Sequence, residues 1–156
     1  MTLRAVVGLG ANLGDRLAML RAAVRELSRV ARVEAVSRVY ATAPVGPPQP
    51  DYLNAAVLVD YAGAAEELLD DLLAIEARLG RQRRERWGPR TLDLDVLWGG
   101  DLVLETPRLA VPHPRLHERA FALAPMLELV PGARDPRTGV AYRVPPGDVR
   151  ATDDAL

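Results

Sequence analysis

Two aspartates separated by one residue, Asp93 and Asp95, could bind a divalent metal ion. Apolar residues alternate with them along the chain: Leu92, Leu94, Val96 and Trp98. This period of two predicts a β-strand that carries both carboxylates on one face, with Cα atoms roughly 6.5 Å apart. Two like charges at that spacing repel unless a cation joins them, and Mg²⁺ favours carboxylates combined with phosphates. The simpler alternative is that the pair forms the polar face of an exposed strand.

The segment directly before this strand supplies concentrated positive charge. Its basic residues are Arg81, Arg83, Arg84, Arg86 and Arg90. Guanidinium groups bind phosphate oxygens in a bidentate geometry. Gly88, Pro89 and the many charges predict a loop that closes over a phosphate-bearing ligand, with Trp87 excluding water. Because the arginines adjoin the aspartates, we favour a metal-phosphate site over an exposed strand face.

The composition limits the class of protein. A chain of 156 residues can form one domain, and its net charge of -1 argues against a general polyanion binder. The absence of cysteine excludes disulfides and thiolate metal sites. We find no signal-peptide core at the start and no apolar run that could span a membrane. We therefore expect a cytoplasmic, monomeric protein with a single domain over residues 1–156, of which 131–156 form a largely irregular tail.

Hydrophobic periodicity predicts the elements that position these residues. A strand at residues 5–9 leads into a turn explained by Gly8, Gly10 and Gly14, and Asp15 then caps a helix. Strands at 33–40 and 53–61, a helix at 64–79 and a strand at 90–98 follow. The order strand, helix, strand, strand, helix, strand predicts an α+β fold of the ferredoxin-like βαββαβ type, in which helices pack on an antiparallel sheet.

The C-terminal part is predicted to extend this core. Gly99-Gly100 should close a hairpin that pairs residues 102–104 with the preceding strand. Residues 117–130 form a third helical region, which we expect Pro125 to interrupt because proline lacks a backbone N–H.

Several separated motifs are shared with one known family. They are Gly10-Ala-Asn12-Leu13, Pro50-Asp-Tyr52-Leu-Asn54-Ala-Ala, Ile75-Glu76 with Gly80-Arg81, Arg86-Trp87-Gly88-Pro89-Arg90-Thr-Leu-Asp93-Leu-Asp95, and Pro112-His113 followed by Arg119 and Phe121. Across nearly its whole length the chain resembles the 6-hydroxymethyl-7,8-dihydropterin pyrophosphokinases of folate biosynthesis. The resemblance implies a transferase that moves the β,γ-diphosphate of ATP to the pterin hydroxymethyl group and releases AMP.

The resemblance also implies roles for individual residues. Asp93 and Asp95 would bind two Mg²⁺ ions and act in catalysis together with Arg81 and Arg90. The residues implied in ATP binding are Arg81, Arg83, Arg84, Trp87, Arg90, Val96, Arg108, His113 and Arg119. The residues implied in pterin binding are Thr42, Val45, Tyr52, Asn54, Trp87 and Phe121. At Ala11, Leu73 and Ala110 the chain lacks polar side chains that the family often has.

The chemistry of a pterin agrees with these roles. A flat heteroaromatic ring needs ring faces for stacking, which Tyr52 and Phe121 can provide, and polar groups for its edge, such as Asn54. Without the resemblance, both aromatic residues would be assigned to the core. The alternative function is an RNA-binding module formed by the ferredoxin-like sheet and the arginine-rich loop. The near-neutral charge and the scarcity of aromatic residues weigh against it.

Overall fold

The computed structural model describes residues 2–12, 14–43, 50–79 and 92–156. The strands are β1 (Leu3–Ala11), β2 (Arg32–Val36), β3 (Arg38–Thr42), β4 (Tyr52–Tyr61), β5 (Asp93–Trp98), β6 (Leu104–Glu105), β7 (Ala110–Val111) and β8 (Val149–Ala155). The helices are α1 (Arg16–Val30), α2 (Ala65–Leu79), a 3-10 turn (Leu116–Glu118) and α3 (Ala120–Leu129). Within these ranges, no helix is both long enough and apolar enough to cross a membrane.

The main sheet is antiparallel and has the strand order β5-β1-β4-β3-β8, with β2 also paired to β4. The first and third strands of the βαββαβ unit are thus central, and the last strand lies beside the first. This is the ferredoxin-like arrangement, so the predicted fold class is confirmed. The short strands β6 and β7 form a separate two-stranded sheet.

The helices α1 and α2 cover one face of the sheet. As predicted, the Asp15 carboxylate caps α1 by accepting a hydrogen bond from the Ala18 N–H at 3.1 Å. The apolar stripes of the two helices are fully buried against the strands: Leu20, Ala23 and Leu27 of α1, and Leu68, Leu72 and Ile75 of α2. Each leucine or isoleucine buried in this way contributes about 1.5–3 kcal/mol to folding.

The opposite face of the sheet is covered by α3, which packs on β4, β3 and β1. A second apolar cluster forms there, in which Leu123 and Met126 of α3 contact Val6, Leu58 and Leu97 of the strands. The sheet therefore has apolar layers on both sides. The functional residues described below lie where this second layer ends.

The predicted strand at 33–40 consists of two strands that separate at Ser37. The Ser37 hydroxyl accepts a hydrogen bond from the Ala56 N–H at 2.9 Å and donates one to the Arg38 carbonyl at 2.7 Å. A side chain thus replaces a backbone partner in the ladder, which interrupts the strand. Both halves still pair with β4.

Three predictions for the later part of the chain are wrong in detail. The glycine turn after β5 is present, with Gly100 at a φ of 65°, but the next strand, β6, pairs with β7 and not with β5. Pro125 lies inside α3 and does not interrupt it. The tail contains one strand that was not predicted, β8, which pairs with β3 at the edge of the main sheet.

Candidate active site

A cavity of about 270 Å³ opens on the sheet face that α3 covers. Residues from β1, β3, β4, β5 and α3, together with the residue that follows β1, line it: Gly10, Ala11, Asn12, Thr42, Tyr52, Asn54, Asp93 and Phe121. Ligand pockets commonly have volumes of about 300–1,000 Å³, so this cavity suits a small ring system better than a nucleotide.

Strand register explains why these residues meet. Gly10 of β1 pairs with Asn54 on one side and with Asp93 on the other. Residues directly opposite each other in an antiparallel ladder project from the same face. Gly8 pairs in the same way with Ala56 and Asp95. The predicted common face of Asp93 and Asp95 is therefore the face that carries the cavity.

Glycine at positions 8 and 10 provides the floor of the site, which we call the glycine floor. A Cβ atom at Gly10 would lie 3.1 Å from Asn54 Oδ1, and one at Gly8 would lie 2.9 Å from Leu97 Cδ1. The prediction that both glycines belong to a turn is wrong, because both lie within β1. The third glycine of the predicted turn, Gly14, does follow β1 and has a positive φ of 67°.

A smaller compartment of about 40 Å³ adjoins the cavity and shares Gly10, Asn54, Asp93 and Phe121 with it. It adds Asp95 and Arg119, so two carboxylates and a guanidinium face the same space. The Arg119 guanidinium carbon lies 5.7 Å from the centre of the Phe121 ring, a distance typical of cation-π contacts. The compartment can therefore attract both a cation and an anionic group.

His113 lies next to this compartment and is held by its backbone. Its N–H donates to the Leu97 carbonyl of β5 at 2.8 Å, and its ring Nδ1 accepts from the Arg115 N–H at 3.2 Å. Burial, followed by the positive charge of Arg119, lowers the pKa of His113, while Asp93 acts in the opposite direction. A neutral imidazole that accepts at Nδ1 carries its proton on Nε2, which can donate to a phosphate oxygen.

Glu76 supports the strand that carries the aspartates. Its side chain is 4% exposed, and its Oε2 accepts a hydrogen bond of 2.7 Å from the N–H of Leu94, the residue between Asp93 and Asp95. Glu76 belongs to a shared motif, but no role was predicted for it from the sequence. Its position beside Ile75, on the apolar stripe of α2, could have indicated a role. A carboxylate that is buried there requires a specific hydrogen-bond partner.

We expect Glu76→Ala to lower the free energy of unfolding by about 2 kcal/mol, because the Leu94 N–H would stay buried without this acceptor. Urea denaturation measures this effect. Glu66→Ala on the same helix is the control. Its ion pair with Arg108 is exposed and spans 3.9 Å, so we expect a much smaller loss. Equal losses for the two variants would show that the buried hydrogen bond of Glu76 adds no more stability than an exposed ion pair.

The structure brings together the described residues of the pterin set, Thr42, Tyr52, Asn54 and Phe121, at the larger cavity. Asp93, Asp95 and Arg119 meet at the smaller compartment. The remaining predicted residues at Val45, Arg81, Arg83, Arg84, Trp87 and Arg90 lie outside the described residues.

Val96 and Arg108 do not line the larger cavity or the smaller compartment. The Val96 side chain is 2% exposed and belongs to the core under α1 and α2. The N–H of Leu94 points away from β1 toward Glu76, and residues two apart on a strand have the same backbone orientation. The backbone groups of Val96 therefore point away from β1 as well. If Val96 contacts ATP, it does so through these groups and not through its buried side chain. Arg108 forms an ion pair with Asp70 of α2.

Comparisons with known proteins agree with this geometry. The family model described as 7,8-dihydro-6-hydroxymethylpterin-pyrophosphokinase (HPPK) matches residues 6–131. A Synechocystis protein named 2-amino-4-hydroxy-6-hydroxymethyldihydropteridine pyrophosphokinase is 50% identical over 137 residues, which are 86% of this chain and 70% of that protein. A Bacillus subtilis protein of the same name is 47% identical over 128 residues, 80% of this chain and 77% of that protein.

Solved structures show the same fold. Wild-type HPPK-DHPS from Plasmodium falciparum superposes with a TM-score of 0.71 at 13% identity, over 91% of this chain. The match spans 40% of that longer protein. An HPPK-DHPS structure in complex with substrates also gives a TM-score of 0.71, over 91% of this chain and 42% of that one. At such low identity these structures support the fold alone, whereas the family model and the sequence relatives establish that the chain belongs to the 7,8-dihydro-6-hydroxymethylpterin-pyrophosphokinase family.

Proposed function

We propose that this chain transfers a diphosphate group from ATP to 6-hydroxymethyl-7,8-dihydropterin in folate biosynthesis and releases AMP. Membership of the pyrophosphokinase family supports a diphosphotransferase with ATP as co-substrate. The observation that carries the proposal is the junction of an aromatic-lined cavity with a compartment that holds two carboxylates and an arginine. The family match gives no support to the alternative of an RNA-binding module.

The larger cavity is the proposed pterin site. Tyr52 and Phe121 supply ring faces, and the side chain of Phe121 is 38% exposed although it is large and apolar. A ring face that is exposed at the wall of a cavity is available to stack on a flat ligand. Asn54, which is 9% exposed, supplies an amide for the polar edge of the pterin, and Thr42 supplies a hydroxyl. Val45 and Trp87 remain predicted contacts.

Asp93 and Asp95 are the proposed holders of Mg²⁺. Among the described residues, no group of three or more His, Cys, Asp or Glu side chains could hold a metal ion. Two carboxylates that leave the other positions to phosphate oxygens and water fit Mg²⁺, which is seldom enclosed by protein ligands alone. When bound, Mg²⁺ neutralises phosphate charge. We propose two ions, as the resemblance implies.

Asp93 connects the two substrate sites because it lines both compartments. A pterin in the larger cavity would place its hydroxymethyl oxygen toward this residue. That oxygen loses its proton to solvent and forms a bond to the β-phosphorus of ATP. The bond between this phosphorus and the oxygen that it shares with the α-phosphorus breaks, and AMP leaves with that oxygen. The protein contributes alignment and charge, which are the main requirements of phosphoryl-type transfer.

Arg119 and His113 are the described candidates for contacts with the triphosphate. Arg119 faces the carboxylates, and the neutral His113 ring can donate a hydrogen bond to a phosphate oxygen. Arg81, Arg83, Arg84 and Arg90 would add positive charge, and Val96 and Arg108 complete the proposed ATP set.

The reaction is tested by incubating the protein with ATP, Mg²⁺ and 6-hydroxymethyl-7,8-dihydropterin and separating the nucleotide products. We expect AMP to accumulate in equal amount with the pterin diphosphate. Formation of ADP would indicate single phosphoryl transfer, and a lack of any pterin-dependent product would refute the proposal.

We expect Phe121→Ala to raise the KM for the pterin about ten-fold, because stacking of an aromatic ring on a base contributes on the order of 1–3 kcal/mol. Steady-state kinetics at saturating ATP measures the change. The control is Leu73→Ala, which also truncates an exposed apolar side chain, 42% exposed, but on α2 under the other face of the sheet. An unchanged KM for the Phe121 variant would exclude stacking.

A further inference from the structure

We propose that Asn12 is a further substrate-contact residue, whose side-chain carbonyl accepts a hydrogen bond from an N–H group of the bound pterin. This inference rests on the proposed function, because it assigns a specificity role within the same cavity. Asn12 directly follows β1 and lines the cavity together with Thr42 and Tyr52.

The first observation is an unsatisfied acceptor. Asn12 Oδ1 is buried and has no hydrogen-bond partner within residues 2–12, 14–43, 50–79 and 92–156. Burying a carbonyl oxygen without a donor is unfavourable, and most such groups in folded proteins have a partner. A donor from a ligand would remove this cost.

The second observation is the position of a similar atom. Thr42 Oγ1 is also buried without a partner in the described part of the chain, and it lines the same cavity. Thr42 pairs with Tyr52, and Ala11 pairs with Leu53. The register therefore places Asn12 and Thr42 on the two sides of Tyr52. Two oxygen acceptors thus flank one of the proposed stacking residues.

A third buried oxygen without a described partner, Asp60 Oδ1, lies elsewhere. Asp60 pairs with Arg4 and Arg32 and does not line the cavity. The coincidence of the other two atoms with the cavity points to a ligand, and Asp60 provides a comparison residue on the same sheet.

The chemistry of the Asn12 side-chain carbonyl favours the pterin over the nucleotide phosphates. A carbonyl oxygen attracts N–H donors and repels the oxygens of a triphosphate. The pterin ring carries donors on its 2-amino group and at N3, and the dihydro form carries another at N8. A site that hydrogen-bonds such a group discriminates strongly against analogues that lack it.

The test is Asn12→Ala, with the Kd for 6-hydroxymethyl-7,8-dihydropterin measured by titration calorimetry. We expect binding to weaken about ten-fold, as loss of one buried hydrogen bond implies. The Tm of the protein without ligand should stay the same or rise, because the variant removes an unsatisfied acceptor. A residue with a purely structural role would lower the Tm and leave the Kd unchanged.

Asp60→Ala is the control, since it removes a comparable oxygen outside the cavity and should leave the Kd unchanged. Asn12→Leu, of similar volume, repeats the measurement if the alanine variant is unfolded. A wild-type Kd in a folded Asn12 variant would overturn the inference while AMP formation still supports the function. Absence of pterin binding and AMP formation in the wild-type protein would instead refute the proposed function.

Oxidised 6-hydroxymethylpterin identifies the donor because it lacks the N8 hydrogen. If the effect of Asn12→Ala disappears with this ligand, Asn12 contacts N8–H. If the ten-fold effect persists, the donor belongs to the 2-amino and N3 edge.

Discussion

Replacing Asp93 or Asp95 by asparagine should lower kcat for AMP formation at least about 10³-fold, roughly 4 kcal/mol of transition-state stabilisation. Asparagine keeps the shape of the side chain but removes the negative charge that would hold Mg²⁺. Both side chains lie on the cavity face, and Asp93 is exposed, so we expect the fold to persist. The loss should therefore appear in turnover and in the Mg²⁺ concentration that gives half-maximal rate.

Asp101→Asn is the matched control, because this aspartate is exposed in the turn after β5 and does not line the site. Its kcat should stay within about two-fold of the wild-type value, as for other exposed surface changes. Circular dichroism and urea denaturation establish that the variants are folded. Near-normal kcat and an unchanged Mg²⁺ requirement for both site variants would show that the carboxylates only form a solvated strand face.

Gly10→Val should reduce kcat/KM for the pterin at least about 100-fold, because its side chain would fill the cavity floor between Asn54 and Asp93. Even the Cβ atom would lie only 3.1 Å from Asn54 Oδ1, and two methyl groups would extend further into the space. Valine is favourable in a strand, so β1 should still form. Calorimetry with the pterin alone measures the loss of binding directly, and we expect its Kd to rise in parallel.

The control for the added volume is Gly132→Val, since a Cβ atom there meets nothing within 4 Å. This variant should retain the wild-type kcat/KM. If Gly10→Val also retains it, the pterin does not bind above the glycine floor, and the larger cavity has another role.

Local patterns were sufficient to predict most of the central fold. The Asp15 cap and the helix predicted at residues 64–79 depend on signals within a few residues of sequence, and both are confirmed. The same holds for the common face of Asp93 and Asp95, because alternation along a strand needs no knowledge of its neighbours.

Features that depend on pairing between distant segments could not be predicted in this way. Trp98 was expected beside Leu94 and Val96, but a register shift opposite Val6 and Val7 turns it to the other face, where it packs on the α3 cluster. The strand β8 is mostly exposed, so its sequence has no apolar alternation to identify it. Its pairing with β3 depends on the finished sheet.

The candidate site shows the same division. Tyr52, Asn54 and Phe121 were identified through shared motifs, and the structure brings them to one cavity. Roles for Gly10 and Asn12 could be inferred only from the strand register. It places β1 between β4, which carries Tyr52 and Asn54, and β5, which carries Asp93. Arg81 to Arg90 stay a prediction.

The glycine floor limits how the protein could escape an inhibitor. A compound that uses only the volume of the pterin ring above Gly10 depends on the same absence of a side chain as the substrate does. A branched side chain such as valine at this position would exclude both molecules, so resistance by this route would abolish the activity it should preserve. Compounds that extend beyond that volume, toward exposed residues of the rim, lack this protection because substitutions there can hinder the compound alone.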